Sequence, residues 1–352
     1  MLHISALMLG GFVIAVTILP LLPSKAWWVR IWDFPRFQLA IVGAVAFVAA
    51  ALANGGRSSP GAWLFLSALG AAVLYQAARV WRYSRLAPLE VQSSRTDGQP
   101  RLTVAVSNVL QSNRMADRLI EVLAAADADV MLFVETDQWW RERLDVLRRS
   151  HPHTVQCPLS NTYGMLLYSR LPLLDPTVEF LVQPDIPSIQ AHVQIEEHTT
   201  VWLNCVHPRP PAPGESDDSL ERDAELLLVG KRVCDAEEPV VVCGDLNDVA
   251  WSRTTRLFQK TSRLVDPRKG RGMFSTFHAR LPGLRFPLDH ILHSTAFRLV
   301  EMRRLPFVGS DHFPVVATLS LEPDATADQE APAPDAGDEQ ETRETIAEGR
   351  SG

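Results

Sequence analysis

The stretch PVVVCGDLND, residues 239–248, is the most informative part of the sequence. Three valines and a cysteine form an apolar run of the length of a buried strand, and the run stops at a glycine followed by acidic and amide side chains. A second stretch, GSDHFPVV at residues 309–316, has its polar residues before the apolar run. Both patterns predict a buried strand with polar side chains clustered at one end.

Short apolar runs of this kind recur between residues 100 and 321 and alternate with longer amphipathic segments, which is typical of a mixed α/β domain. Residues 114–126 and 219–233 have apolar side chains at helical spacing and are predicted helices. Predicted strands outnumber these helices. They are LTVAVSNV (102–109), DVMLFVET (129–136), YGMLLYS (163–169), QAHVQIE (190–196), TVWLNCVH (200–207), PVVVCGDLN (239–247), LDHILHS (288–294) and PVVATLSL (314–321).

Polar side chains recur at the ends of these predicted strands. A single acid in such a place is more often a turn former or a helix cap than a catalytic group. Six such places with only Asn, Asp, Glu and His favour one common site. Oxygen ligands suit a hard cation such as Mg²⁺, and neighbouring histidines can transfer protons or stabilise an oxyanion. The residues are Asn108, Glu135, His207, Asp245, Asn247, Asp289 with His290, and Asp311 with His312.

The stretches SNV, VETD, LNCVHP, GDLND, LDHIL and GSDHFPV, in this order, resemble the endonuclease/exonuclease/phosphatase superfamily, and the resemblance covers about residues 100–321. It implies a four-layered α/β sandwich, in which two stacked, mostly antiparallel sheets are flanked by helices and the site lies at one end. It also implies a phosphoric ester hydrolase that uses Mg²⁺, with Mn²⁺ as an alternative cofactor.

Roles follow from the same resemblance, residue by residue. Asn108, Glu135 and Asp311 match the residues that hold the cation. Asp245 and Asn247 match the pair that orients the attacking water and holds the phosphate. His207 and His312 match the histidines that contact phosphate oxygens or move protons, and Asp289 would orient His312. The predicted catalytic set is therefore His207, Asp245, Asn247, Asp289 and His312.

The sequence also departs from the family pattern. Leu110 stands where some nucleases have a second acid, so a metal site built on that acid is absent. Tyr163 is the candidate for supporting His207, and we interpret His290 and His293 as incidental to catalysis.

Residues 1–85 are predicted to be a membrane anchor. Three nearly uncharged apolar spans, at residues 1–24, 37–56 and 58–78, are each long enough to cross a bilayer as a helix. Six Lys or Arg residues flank one side of these spans and only Arg57 the other, so the positive-inside rule predicts a cytoplasmic catalytic domain. The expected location of the protein is the bacterial inner membrane. The resemblance to membrane-anchored bacterial members of the superfamily favours the opposite, extracytoplasmic, side.

Charge divides the chain further: the net charge is +6 over residues 1–85, −5 over 86–321 and −8 over 322–352. We predict a linker at 86–99, a catalytic domain at 100–321 and a disordered acidic tail at 322–352, because the tail has few large apolar residues to bury. The four cysteines lack metal-site spacing and are predicted to be free thiols.

These features predict a membrane-anchored, divalent-metal-dependent hydrolase of a phosphodiester or pyrophosphate. A lipid-linked substrate is slightly favoured, since an anchor in the lipid bilayer limits access to nucleic acid. Nine basic residues between Arg253 and Arg285 could form a phosphate-binding collar, so a nuclease acting on DNA or RNA is the first alternative. The second is an inactive, membrane-tethered binding protein. No feature of the sequence indicates an obligate protein partner.

Overall fold

The computed structural model describes residues 2–55, 59–95 and 97–351, so Arg57 of the predicted topology argument lies outside the described residues. The helices of the described chain are α1 (Leu2–Ile18), α2 (Trp27–Arg30), α3 (Arg36–Asn54), α4 (Pro60–Trp81), α5 (Ala116–Ala124), α6 (Gln138–Leu144), α7 (Leu220–Val233), α8 (Arg253–Ser262) and α9 (Ala336–Ser351). The strands are β1 (Arg101–Asn108), β2 (Val130–Val134), β3 (His153–Cys157), β4 (Met165–Ser169), β5 (Leu173–Glu179), β6 (Ser188–Glu196), β7 (Thr199–Val206), β8 (Val240–Asp245), β9 (Asp289–His293), β10 (Phe297–Arg304) and β11 (Val315–Leu321).

Two sheets form the centre of the domain. One has the strand order β10-β11-β1-β2-β4-β3 and the other β5-β6-β7-β8-β9. Each sheet contains one parallel pair, β1 with β2 and β7 with β8, and its other pairs are antiparallel. The predicted fold of two stacked, mostly antiparallel sheets is therefore confirmed.

The layers follow from which strand faces are apolar. Val104, Val106, Leu203 and Val241 belong to one continuous core between the two sheets. The opposite face of the first sheet packs against α5 and α6, and the opposite face of the second packs against α7 and α8. Both faces of the central strands are buried, which is why their sequences are continuous apolar runs instead of alternating ones.

The strand directions bring the polar strand ends to one edge. Parallel β1 and β2 end together, and so do β7 and β8. Strand β9 runs antiparallel to β8, so its first residue, Asp289, is the register partner of Asp245, the last residue of β8. Strand β11 runs antiparallel to β1, which places the residues before Val315 beside the end of β1.

Three of the described helices are long and apolar enough to cross a membrane, over Ile4–Leu21, Arg36–Asn54 and Pro60–Trp81. They agree with the three predicted spans. Val13, Ala46 and Leu69 are buried where α1, α3 and α4 pack together. Large apolar side chains such as Val45 and Leu64 point outwards and are exposed, as in helices that face lipid.

The described residues of the tail after Glu322 include a packed helix, α9, contrary to the prediction of disorder. Helix α9 packs against α7, with Gly349 so close to Ala224 that a Cβ would collide there. Its acids pair with basic residues of α8, for example Glu341 with Arg253 at 2.7 Å. The prediction of disorder considered only the few large apolar residues of the tail. It did not consider that ion pairs could hold a polar helix against the domain.

Described residues of the predicted linker at 86–99 also pack onto the domain. Val91 is fully buried in the core between the sheets. The backbone N–H of Ser94 donates to the carbonyl of Leu299 in β10 at 2.8 Å, so this segment extends the edge of the first sheet. The linker prediction failed because the segment's few apolar residues were too sparse to show a strand pattern.

Candidate active site

Asn108 links carboxylates from the two sheets. It ends β1, and its amide nitrogen donates to Glu135 Oε1 at 2.7 Å and to Asp245 Oδ2 at 3.0 Å. Its amide oxygen accepts the backbone N–H of Leu110 at 3.0 Å. In this arrangement Asn108 is a hydrogen-bond donor that positions two acids, and its role as a metal ligand stays a prediction.

Glu135 follows β2 with a positive φ of 60°, a conformation that is uncommon outside glycine and that recurs at functional sites. Its second oxygen accepts the backbone N–H of Gln111 at 3.3 Å. Burial raises the pKa of Glu135 to about 7, with Asp245 and Asp311 adding to the effect. A carboxylate that is destabilised by burial and by like charges would gain from a bound cation.

Asp245 and Asn247 occupy a sharp turn at the end of β8. Gly244 has φ 144°, and a Cβ there would collide with the carbonyl oxygen of Val206 in β7. The turn brings the backbone N–H of Asn247 to Asp245 Oδ1 at 2.9 Å, while the Asn247 amide donates to the carbonyl of Pro208 at 3.0 Å. Glycine is required here because the strands approach so closely.

His312 lies between two buried acids. Its Nδ1 is 2.8 Å from Asp289 Oδ2, and its Nε2 is 3.6 Å from Asp245 Oδ2. Burial disfavours the charged imidazole, but the two carboxylates outweigh it and raise the pKa of His312 to about 10. His312 is therefore an imidazolium at neutral pH, and Asp289 fixes the orientation of its ring.

His207 is the opposite case. It is 2% exposed, and its Nδ1 has no hydrogen-bond partner among the described residues. Burial lowers the pKa of His207 to about 4, so the ring is neutral at pH 7. Tyr163 packs against it with ring centroids 5.4 Å apart, but the tyrosine hydroxyl donates to Glu215 at 2.6 Å. Tyr163 therefore contacts His207 by ring packing and not through a hydrogen bond from its hydroxyl.

The donor chemistry of the site fits a divalent metal. Glu135 and Asp311 supply carboxylate oxygens of the kind that Mg²⁺ prefers, and Asp311 is near enough to raise the pKa of Glu135. Asp245, Asp289 and His312 also offer ligand atoms within 4.8 Å of one another, so this cluster could bind a metal too. We favour Glu135 with Asp311, because His312 and Asp289 already satisfy each other as an ion pair.

His290 and His293, interpreted as incidental to catalysis, have their hydrogen-bond contacts outside the predicted catalytic set. His290 contacts Arg268 at 2.7 Å and the carbonyl of Asp248 at 3.0 Å, and His293 contacts the carbonyl of Ser294. Both therefore serve the packing of β9.

Sequence analysis missed Arg222, a buried residue of α7 that donates to the carbonyl of Asn247 at 2.9 Å and so supports the turn after β8. A signal was available. Arg222 lies on the same helical stripe as Leu226, Val229 and Val233, and a charge on a buried stripe indicates a specific partner.

A sequence profile of the Endonuclease/Exonuclease/phosphatase family matches residues 104–312, more than half of the chain. The chain belongs to this family. Members of the endonuclease/exonuclease/phosphatase family are divalent-metal-dependent hydrolases of phosphoester bonds. The family resemblance inferred from the strand-end motifs is confirmed. No curated protein matches the sequence of this chain at a significant level.

Solved structures of the family share the fold of this chain. D. rerio TDP2 in complex with a single-strand DNA product is 18% identical, with a TM-score of 0.53 over 64% of this chain and 100% of that one. The human Nocturnin catalytic domain with a bound sulfate anion is 17% identical, with a TM-score of 0.51 over 64% and 97%. The endonuclease/exonuclease/phosphatase from Beutenbergia cavernae is 20% identical, with a TM-score of 0.51 over 63% and 72%.

Proposed function

We propose that this protein is a membrane-anchored, divalent-metal-dependent hydrolase of a lipid-linked phosphodiester or pyrophosphate. The observation that carries the proposal is a chain of contacts from the apolar helices to the candidate catalytic histidine. Phe34, just before α3, packs edge to face on Phe286 with ring centroids 5.7 Å apart. The backbone of Phe286 pairs with that of Phe277, whose ring centroid is 5.0 Å from that of His312. The site therefore lies beside the end of a candidate membrane helix.

A second contact supports a site at the bilayer surface. Gln38, in the first turn of α3, donates to the carbonyl of Gly283 at 3.1 Å. Leu281 and Leu284, on either side of Gly283, are 48% and 50% exposed. Apolar tips beside a membrane helix suit the boundary between lipid headgroups and acyl chains. The same loop reaches the site, since the N–H of Ala279 donates to the carbonyl of Asp311 at 2.6 Å.

The residues of the site suit hydrolysis by in-line attack of water on phosphorus. Glu135 and Asp311 would hold the cation, which would supply charge stabilisation at the phosphoryl oxygens. Asp245 accepts a hydrogen bond from the attacking water and orients it. His312, charged at neutral pH, donates to a phosphate oxygen, and neutral His207 contacts another. The P–O bond to the leaving group breaks as the water oxygen bonds to phosphorus, without a covalent enzyme intermediate.

A nuclease remains the alternative, because D. rerio TDP2 was solved with a single-strand DNA product. Acids of this chain neutralise part of the predicted basic collar. Arg268 is buried in an ion pair with Asp266, and Lys269 pairs with Glu90 at 2.8 Å. Arg253 and Lys260 pair with Glu341 and Asp338 of α9, so four of the nine basic residues are already neutralised by acids of the described chain. An inactive binding protein has less support than a nuclease, because the candidate catalytic and metal-binding residues lie together at one site.

The test compares substrates with one preparation. The purified full-length protein in lipid nanodiscs should hydrolyse a prenyl diphosphate or a lipid phosphodiester, with added Mg²⁺, faster than single-strand or duplex DNA. The Glu135→Gln variant is the control for contaminating hydrolases. Rapid DNA cleavage that falls steeply with added salt, together with no lipid turnover, would reject the lipid proposal and support the nuclease.

We also propose that the catalytic domain is cytoplasmic. The basis is the positive-inside count. Reporter fusions at residues 57 and 95 should report opposite compartments, with residue 95 inside. An extracytoplasmic residue 95 would reverse the topology and leave the proposed chemistry unchanged.

A further inference from the structure

A polar cavity of about 310 Å³ lies where the candidate membrane helices meet the catalytic domain. Its walls come from the residues just after α1, the residues at and just before the start of α3, the last turns of α4, and from α8 and α9. This volume is at the lower end of the range of about 300–1,000 Å³ that is typical of small-molecule sites. None of the predicted catalytic or metal residues lines it, so the cavity is separate from the candidate active site.

The cavity wall contains five cationic and three anionic side chains. The cations are Arg36, Arg79, Arg253, Arg256 and Lys260, and the anions are Asp33, Asp338 and Glu341. Each anion has a partner: Asp33 pairs with Arg36, Asp338 with Lys260 at 2.6 Å and Glu341 with Arg253 at 2.7 Å.

Arg79 and Arg256 are the two cations left over. Within the described chain neither forms an ion pair: Arg79 donates to the carbonyl of Trp251 at 2.8 Å, and Arg256 donates to that of Ser252 at 3.1 Å. Burial lowers the pKa of Arg256, and the nearby charge of Arg36 adds to this effect. Two unneutralised guanidinium groups facing one cavity repel each other, and an anion between them would relieve that repulsion.

Buried donors in the wall also lack acceptors. Arg36 is 2% exposed, and its Nε has no hydrogen-bond partner among the described residues. The Nε of Arg79 is likewise buried without one. Buried polar groups are nearly always satisfied by protein, water or a ligand. Unsatisfied guanidinium donors that line a cavity with surplus positive charge indicate a ligand with acceptor oxygens and negative charge.

We propose that this junction cavity binds the phosphate group of an anionic membrane lipid. The cavity lies at the level of the headgroups, because Arg36 begins one candidate membrane helix and Arg79 lies in the last turn of the next. Guanidinium groups match phosphate oxygens in charge and geometry. The proposal rests on the proposed membrane anchoring and is independent of the proposed hydrolysis, since the lipid is bound here and not cleaved.

The experiment measures binding to the full-length protein in detergent, by native mass spectrometry and by titration. The probes are phosphatidylglycerol, phosphatidylcholine of the same chain length and inorganic phosphate. Phosphatidylglycerol should bind more tightly than phosphatidylcholine. Arg256→Gln should weaken it by about fivefold, the usual contribution of one basic side chain to binding an anionic lipid. Arg256→Lys should retain most of the affinity.

The matched control is Arg85→Gln, which removes an exposed arginine that follows α4 but does not line the cavity. It should bind phosphatidylglycerol like the unaltered protein. Equal affinity of Arg256→Gln and the unaltered protein, or equal binding of the two lipids, would overturn the proposal. So would inorganic phosphate that binds as tightly as phosphatidylglycerol with the same dependence on Arg256, since that assigns the cavity to a soluble anion. Because turnover is not measured, an inactive preparation still gives the answer.

Discussion

Asp289→Asn removes one of the two carboxylates that flank His312 and leaves the shape of the side chain nearly unchanged. In the structure Asp289 Oδ2 lies 2.8 Å from His312 Nδ1, whereas Asp245 lies at 3.6 Å from Nε2. The other Asp289 oxygen has no partner among the described residues, so the substitution disturbs few other contacts. The variant therefore isolates the electrostatic effect of Asp289 on the histidine.

The size of the effect follows from the charges around His312. Burial disfavours the imidazolium, and Asp289 and Asp245 together raise the pKa of His312 to about 10. A single opposite charge at this distance shifts a pKa by about 1–3 units. Without Asp289 the pKa of His312 should fall by that amount. As the pH rises, the active imidazolium of the variant is therefore lost at a lower pH than that of the unaltered protein. A bound cation lowers the pKa in both proteins, which leaves the difference as the predicted quantity.

The assay is the pH dependence of kcat/KM for Mg²⁺-dependent hydrolysis of a chromogenic phosphodiester, from pH 6 to pH 10. The alkaline limb of the Asp289→Asn profile should lie about 1–3 units below that of the unaltered protein. The control is Asp129→Asn, which removes a carboxylate that accepts the backbone N–H of Thr103 far along β1 from the site. It should leave the alkaline limb in place.

An unchanged alkaline limb in a folded Asp289→Asn variant would refute the reasoning. It would mean that His312 does not act as an imidazolium, or that Asp245 alone holds its charge. Circular dichroism spectra and melting curves of both variants establish whether they are folded.

Three further predictions concern single residues. His312→Gln should lower kcat by about 10²–10⁴, whereas His293→Gln, at a buried histidine outside the site, should leave kcat unchanged. Gly244→Ala should lower the free energy of unfolding by about 2–4 kcal/mol, because its Cβ meets a carbonyl of β7, and Gly283→Ala, with open space around it, should change it little; denaturant titration measures both. Burial raises the pKa of Glu135 to about 7, and a cation binds only the ionised carboxylate. Calorimetry should therefore show tighter Mg²⁺ binding at pH 8 than at pH 6. Equal affinities at the two pH values would contradict Glu135 as the ligand.

The central strands of both sheets were predictable because each is buried on two faces, which requires a continuous apolar run. The strands that sequence analysis missed are β3, β5 and β10, and all three lie at sheet edges. Edge strands are partly exposed and have one neighbour, so their sequences need not be apolar. The two amphipathic helices α5 and α7 were predicted near their observed bounds for the same reason of burial.

The family, the core strands, the three apolar helices and the identity of the polar residues at the strand ends could all be inferred from the sequence, because each is recorded in local residue order and hydrophobic pattern. Which of these residues are in contact is visible only in the folded structure. The placement of His312 between Asp289 and Asp245, the ordering of α9 by ion pairs, and the junction cavity with its unpaired arginines all join residues distant in the chain. Such contacts depend on strand register and helix packing, and local sequence patterns do not encode those distances.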